Sequence, residues 1–102
     1  MGNRWGISKE VEEIVLVRDI NCVYCVTQFI ESEKNRKTRK TWEHILNDIK
    51  LNGVENIALC CDSCNASKGN KKLEDWLNSK YCVAKGIKSD TVALLIKKHL
   101  EK

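Results

Sequence analysis

The chain has 102 residues, of which 42% are hydrophobic and 31% charged, and a formal net charge of +4. That length predicts one domain over residues 1–102, and no run approaches the roughly eighteen consecutive apolar residues that a membrane span needs. Met1 to Trp5 lack the basic-then-apolar pattern of a secretion signal, so a cytoplasmic location is expected.

Ser8 is placed to cap a helix whose first turn is acidic (Glu10, Glu12, Glu13), as the helix dipole favours. Val11, Ile14 and Val15 follow at helical spacing, and the helix is expected to end near Arg18. Next comes Cys22-Val23-Tyr24-Cys25, a C-x-x-C pair, and then a polar, charged stretch over residues 26–37. Lysine, arginine and amide side chains crowd Lys34 to Lys40, so Arg36, Lys37, Arg39 and Lys40 are candidates for phosphate contact, with a solvated loop as the alternative. From Thr38 to Ile45 the β-branched and aromatic content rises, which predicts a strand. Asn52-Gly53 signals a turn, and the apolar run from Ile57 to Leu59 suits a second strand.

Cys61 and Cys64 form a second C-x-x-C. The residues after Cys64 are small and helix-compatible up to Gly69, and Leu73, Trp76 and Leu77 make one apolar stripe on the next helix. Ser89 or Asp90 is placed to cap a last helix with Val92, Leu95, Ile96 and His99 on one face. Trp42 and Trp76 read as core residues and His99 as a packing residue on that apolar face.

Six cysteines without a secretion signal point to metal or catalysis before disulfides, and two C-x-x-C pairs with neither beside a βαβ pattern disfavour thiol redox chemistry. Two C-x-x-C pairs supply four thiolates, the number a tetrahedral structural zinc takes, so Cys22, Cys25, Cys61 and Cys64 are the expected zinc ligands. The pairs are separated by 35 residues, so a structured segment is expected between the knuckles. Cys60 and Cys82 fall outside this spacing and read as small buried apolar residues.

Within and after that segment stand Glu43-His44, then Asn56-Ile57-Ala58-Leu59, then Cys61-x-x-Cys64-Asn65-x-x-Lys68-Gly69. This set resembles the HNH nuclease family, the ββα-metal nucleases flanked by zinc-binding cysteines, over Cys22 to about Trp76. The resemblance implies an α+β fold: a zinc-stapled ββα-metal motif, here with additional flanking helices. It implies that His44 is the general base, that Asn56 braces the hairpin loop, and that Glu43 and Asn65 hold a catalytic Mg²⁺ or Mn²⁺. It further implies hydrolysis of DNA phosphodiesters. The expected state is a monomer or weak dimer; with one site per chain a monomer would cut one strand at a time, so nicking is expected unless the chain dimerises.

The chemistry is reasonable for these residue types. A divalent cation shields the charge that builds up at phosphorus, carboxylate and amide oxygens suit hard cations, and imidazole is a suitable base near neutral pH. Two positions depart from the family pattern. Glutamate stands where aspartate is commoner, and Lys68 stands where some relatives place another ligand. Lys68 is a further candidate for phosphate contact, and Asp48 is a third possible metal ligand whose simpler reading is a turn or cap residue. Strand alternation puts Glu43 and His44 on opposite faces, so an irregularity is expected if both are to reach one phosphate. The competing expectation is a zinc-stapled nucleic-acid-binding module without catalysis.

Overall fold

The computed structural model describes residues 6–30, 38–46 and 51–101. They form a small α+β fold with a two-stranded antiparallel sheet and five helices. Helix α1 spans Lys9–Arg18, with the Ser8 hydroxyl accepting from the Val11 N–H at 3.2 Å. Strands β1 (Lys40–His44) and β2 (Ile57–Cys61) pair in a continuous register, from Lys40 opposite Cys61 to His44 opposite Ile57. Helix α2 (Asp62–Lys68) follows β2 directly and ends at Gly69, whose φ of 51° is unfavourable for residues with a Cβ. Three short helices complete the chain: α3 (Leu73–Leu77), α4 (Lys80–Lys85) and α5 (Leu94–Leu100). Among the described residues no helix is long and apolar enough to cross a membrane.

All five residues of β2 are buried because both faces of the sheet are covered. Side chains alternate along a strand, so Ile57 and Leu59 pack with Ile7 and Val15 of the α1 side. Ala58 and Cys60 face the other way, into a core with Tyr24, Ile45, Trp76, Cys82 and Ile96. Burial on both faces explains why the run Ile57-Ala58-Leu59-Cys60-Cys61 is apolar throughout. Arg18 ties α1 to the hairpin by donating to the carbonyls of Val54 (2.6 Å) and Ile57 (2.7 Å). Asp19 receives Arg18 Nε at 2.7 Å and the Leu59 N–H at 3.1 Å.

Three expectations are corrected. Ile14 is 53% exposed, so the inward face of α1 is carried by Val15, with Val11 half-buried. Helix α4 was not foreseen, although Ser79 caps it by accepting from the Cys82 N–H and Gly86 ends it in the left-handed region. The last helix starts at Leu94, later than Ser89 or Asp90 would place it. Lys88 to Thr91 form a turn instead, closed by the Thr91 N–H donating to the Lys88 carbonyl at 3.1 Å; the Ala93 N–H then donates to the Val23 carbonyl at 2.9 Å, and Val92 is buried ahead of the helix.

Candidate functional site

Each cysteine pair is presented by a tight backbone turn. In the first, the Val26 N–H donates to the Cys22 carbonyl and the Cys22 N–H to the Thr27 carbonyl. Val26 sits there at φ 65°, a conformation that β-branched residues rarely adopt. In the second, Cys61 ends β2 and caps α2, its sulfur accepting from the Cys64 N–H at 3.4 Å. The four sulfurs lie within 4.8 Å of one another, so together they could hold a metal ion.

Zinc–sulfur bonds of about 2.3 Å in tetrahedral geometry set sulfurs about 3.8 Å apart, and Cys25 Sγ and Cys61 Sγ are 3.8 Å apart. The thiolate set therefore fits zinc in number, chemistry and spacing. Hydrogen bonds among the four sulfurs hold the Cys25 and Cys61 thiols below the ordinary range and push those of Cys22 and Cys64 above it. The Tyr81 hydroxyl lies 3.3 Å from Cys64 Sγ and 3.1 Å from Ser63 Oγ. Cys60 and Cys82 are fully buried in the core and are not part of the four-cysteine group, and burial raises both thiols.

Glu43 and His44 are neighbours on β1, and the ladder runs through both without a bulge. They consequently point to opposite faces, and the irregularity expected to bring them together is missing from the described strand. Glu43 faces α2. Its Oε2 accepts from the Tyr24 hydroxyl at 2.8 Å and pairs with Lys68 Nζ at 3.1 Å. Burial raises the Glu43 carboxyl above its ordinary range, against the opposing pull of Lys68 and Tyr24. Burial and the Glu43 charge likewise push the Tyr24 hydroxyl up.

Lys68 is fully buried, and its ammonium also donates to the Ile45 carbonyl at 3.0 Å. It was expected to contact phosphate, and that role is corrected here: the side chain lies inside the fold. The reason is helical spacing, because Asn65 and Lys68 are three residues apart on α2 and share the face that packs on β1. The Asn65 amide donates to Thr41 Oγ1 at 2.9 Å and to the Trp42 carbonyl at 3.0 Å, stapling α2 to β1.

Glu43 and Asn65 thus lie along one seam, yet as arranged they do not fit a divalent cation. An ammonium group and a hydroxyl already occupy Glu43 Oε2, in a side chain with only 6% exposure. Among the described residues the four cysteines are the one group of three or more His, Cys, Asp or Glu side chains that could hold a metal. Asp48, the third candidate ligand, lies outside the described residues.

On the other face, His44 Nε2 is 2.8 Å from Asn52 Oδ1. Asn56 is 2% exposed and closes the hairpin: its Oδ1 accepts from the Leu46 N–H at 2.8 Å, and its Nδ2 donates to the carbonyls of Leu46 and Leu51. Of the basic run, Arg36 and Lys37 lie outside the described residues. Arg39 is exposed and paired with Asp62 at the start of α2, and Lys40 is half-buried at the start of β1.

Trp76 lies in the core edge-on to Tyr24, with ring centroids 4.9 Å apart, and its Nε1 donates to Ser67 Oγ. His99 is buried and donates Nε2–H to the Glu55 carbonyl at 2.6 Å. Sequence reasoning missed Tyr24 and Asn52. Tyr24 carried a signal, as an aromatic residue flanked by two cysteines that must be buried with them, whereas Asn52 carried only a turn signal. Comparison with protein-family models, curated proteins and solved structures returned no match.

Proposed function

We propose that the chain is a zinc-stapled nuclease of the HNH type that hydrolyses DNA phosphodiesters, with His44 as the base. In this reading the zinc is held by Cys22, Cys25, Cys61 and Cys64 and has a structural role, fastening the first knuckle to the β2–α2 junction. His44 takes a proton from water, the water oxygen bonds to phosphorus, and the bond from phosphorus to one sugar oxygen breaks. Asn56 keeps the end of β1 in place while this happens, and one base per chain leads to nicking.

The observation that carries this reading is the joint position of His44 and Asn56. A histidine ends β1, and a buried asparagine just before β2 braces the backbone that follows it. The same hairpin is stapled by Asn65 to a helix that begins at a zinc-type cysteine pair. The resemblance drawn from the sequence predicts that combination.

A second reading, a zinc-stapled nucleic-acid-binding module without catalysis, is favoured by one observation. The Glu43 carboxylate is already neutralised by Lys68. Incubating the zinc-loaded chain with supercoiled plasmid and Mg²⁺ or Mn²⁺ separates the two. Conversion to nicked circles supports the nuclease. Plasmid binding with no cleavage under either ion would leave the binding module.

A further inference from the structure

The His44 ring touches a residue that the sequence marks only as part of a turn. Asn52 Oδ1 lies 2.8 Å from His44 Nε2. An amide oxygen can only accept a hydrogen bond, so Nε2 must donate. In a neutral imidazole one nitrogen carries the proton and the other the lone pair, so this bond assigns the lone pair to Nδ1.

The bond is built into the fold at both ends. Asn52 follows Leu51, whose carbonyl accepts from Asn56 Nδ2 at 3.0 Å. It precedes Gly53, whose carbonyl accepts from the N–H groups of Asn56 and Ile57, both at 3.0 Å. On the strand side, the Ile45 N–H donates to the Asn56 carbonyl at 2.9 Å, and Leu46 bonds to the Asn56 side chain. The segment that carries His44 and the turn that carries Asn52 are therefore both tied to Asn56. His44 itself is 8% exposed, so the ring has little freedom to turn away.

We propose that Asn52 is a positioning residue that fixes His44 in the Nε2–H tautomer and so presents Nδ1 as the proton-accepting atom. The inference rests on the reading of His44 as a base, and it separates two duties: Asn56 holds the backbone around the histidine, and Asn52 holds the ring.

The test uses the full, zinc-loaded chain with isotope-labelled histidine. NMR correlations of the ring nitrogens, at a pH where the ring is neutral, report which nitrogen bears the proton. The parent is expected to show the Nε2–H form at His44. Asn52→Ala should give a mixture of tautomers and nick plasmid more slowly by about tenfold or more, part of the 10²–10⁴-fold typical of a general base. Asn52→Asp, which still accepts from Nε2–H, should keep the tautomer and restore most of the rate.

An Nδ1–H form in the parent overturns the inference, as does an Asn52→Ala protein with the parent's tautomer and rate. Should Asn52→Ala fail to fold, the parent spectrum and Asn52→Asp still decide. Failure of the base reading itself looks different: His44→Ala would then nick as fast as the parent, whatever the tautomer.

Discussion

Lys68 and Glu43 form an ion pair of 3.1 Å across the seam between α2 and β1, with the lysine side chain fully enclosed. The Tyr24 hydroxyl adds a hydrogen bond to the carboxylate, and the Ile45 carbonyl accepts one from the ammonium. Breaking a buried pair leaves an uncompensated charge, so Glu43→Gln and Lys68→Met should each cost about 3–5 kcal/mol. The double variant should cost clearly less than their sum, because it leaves no orphaned charge. Urea denaturation of the four proteins checks this, and additive costs would contradict the pairing.

The pair also makes a prediction about pH. The Glu43 carboxyl is raised by burial and pulled back chiefly by Lys68. A carboxyl raised in the folded state holds its proton more tightly folded than unfolded. Its ionised form then costs stability as pH rises through the folded value, and the cost vanishes below the unfolded value. Removing Lys68 widens that window. The stability deficit of Lys68→Met relative to the parent should thus be larger at about pH 8 than at about pH 5. A deficit that does not change with pH would contradict it.

A divalent ion at Glu43 Oε2 would compete with the lysine that pairs with that oxygen. A unit charge a few ångströms away contributes several kcal/mol even at an effective dielectric near 20. Lys68→Met should therefore strengthen Mn²⁺ binding by about tenfold or more, and adding Glu43→Gln should reverse the gain. Calorimetric titration with Mn²⁺ reads both, and equal affinities in parent and Lys68→Met would contradict the competition.

Much of this arrangement was legible in the sequence because its signals are local. Ser8, the two C-x-x-C spacings, Asn52-Gly53 and Gly69 each mark a boundary within a few residues. The partners of Glu43 were not legible. A carboxylate next to a histidine carries the same local signal whether it faces an ion or an ammonium, and only packing α2 on β1 brings Lys68 to it. The start of α5 was missed for a similar reason: a hydrogen bond from Ala93 to Val23, far apart in sequence, overrides the capping tendency of Ser89 and Asp90. Helix α4 was a different failure, since Ser79 and Gly86 bracket it in the sequence itself.

The four-cysteine cluster should hold one zinc ion that survives dialysis. Replacing Cys22, Cys25, Cys61 or Cys64 by Ser should release it and unfold the chain, since structural zinc contributes on the order of 10 kcal/mol. Cys60→Ala and Cys82→Ala remove one buried sulfur each and should cost about 1–3 kcal/mol with zinc retained. Metal analysis with circular dichroism checks both groups, and a folded, zinc-free Cys61→Ser protein would contradict the assignment.

The claim on which the function depends is the role of His44, and the most direct measurement is the plasmid-nicking rate of a folded, zinc-loaded His44→Ala protein beside the parent, with Mg²⁺ and with Mn²⁺. A loss of about 10²–10⁴-fold is expected, the usual contribution of a general base, with zinc content and circular dichroism unchanged. Nicking at the parent's rate would contradict it, and the chain would then be read as a zinc-stapled binding module.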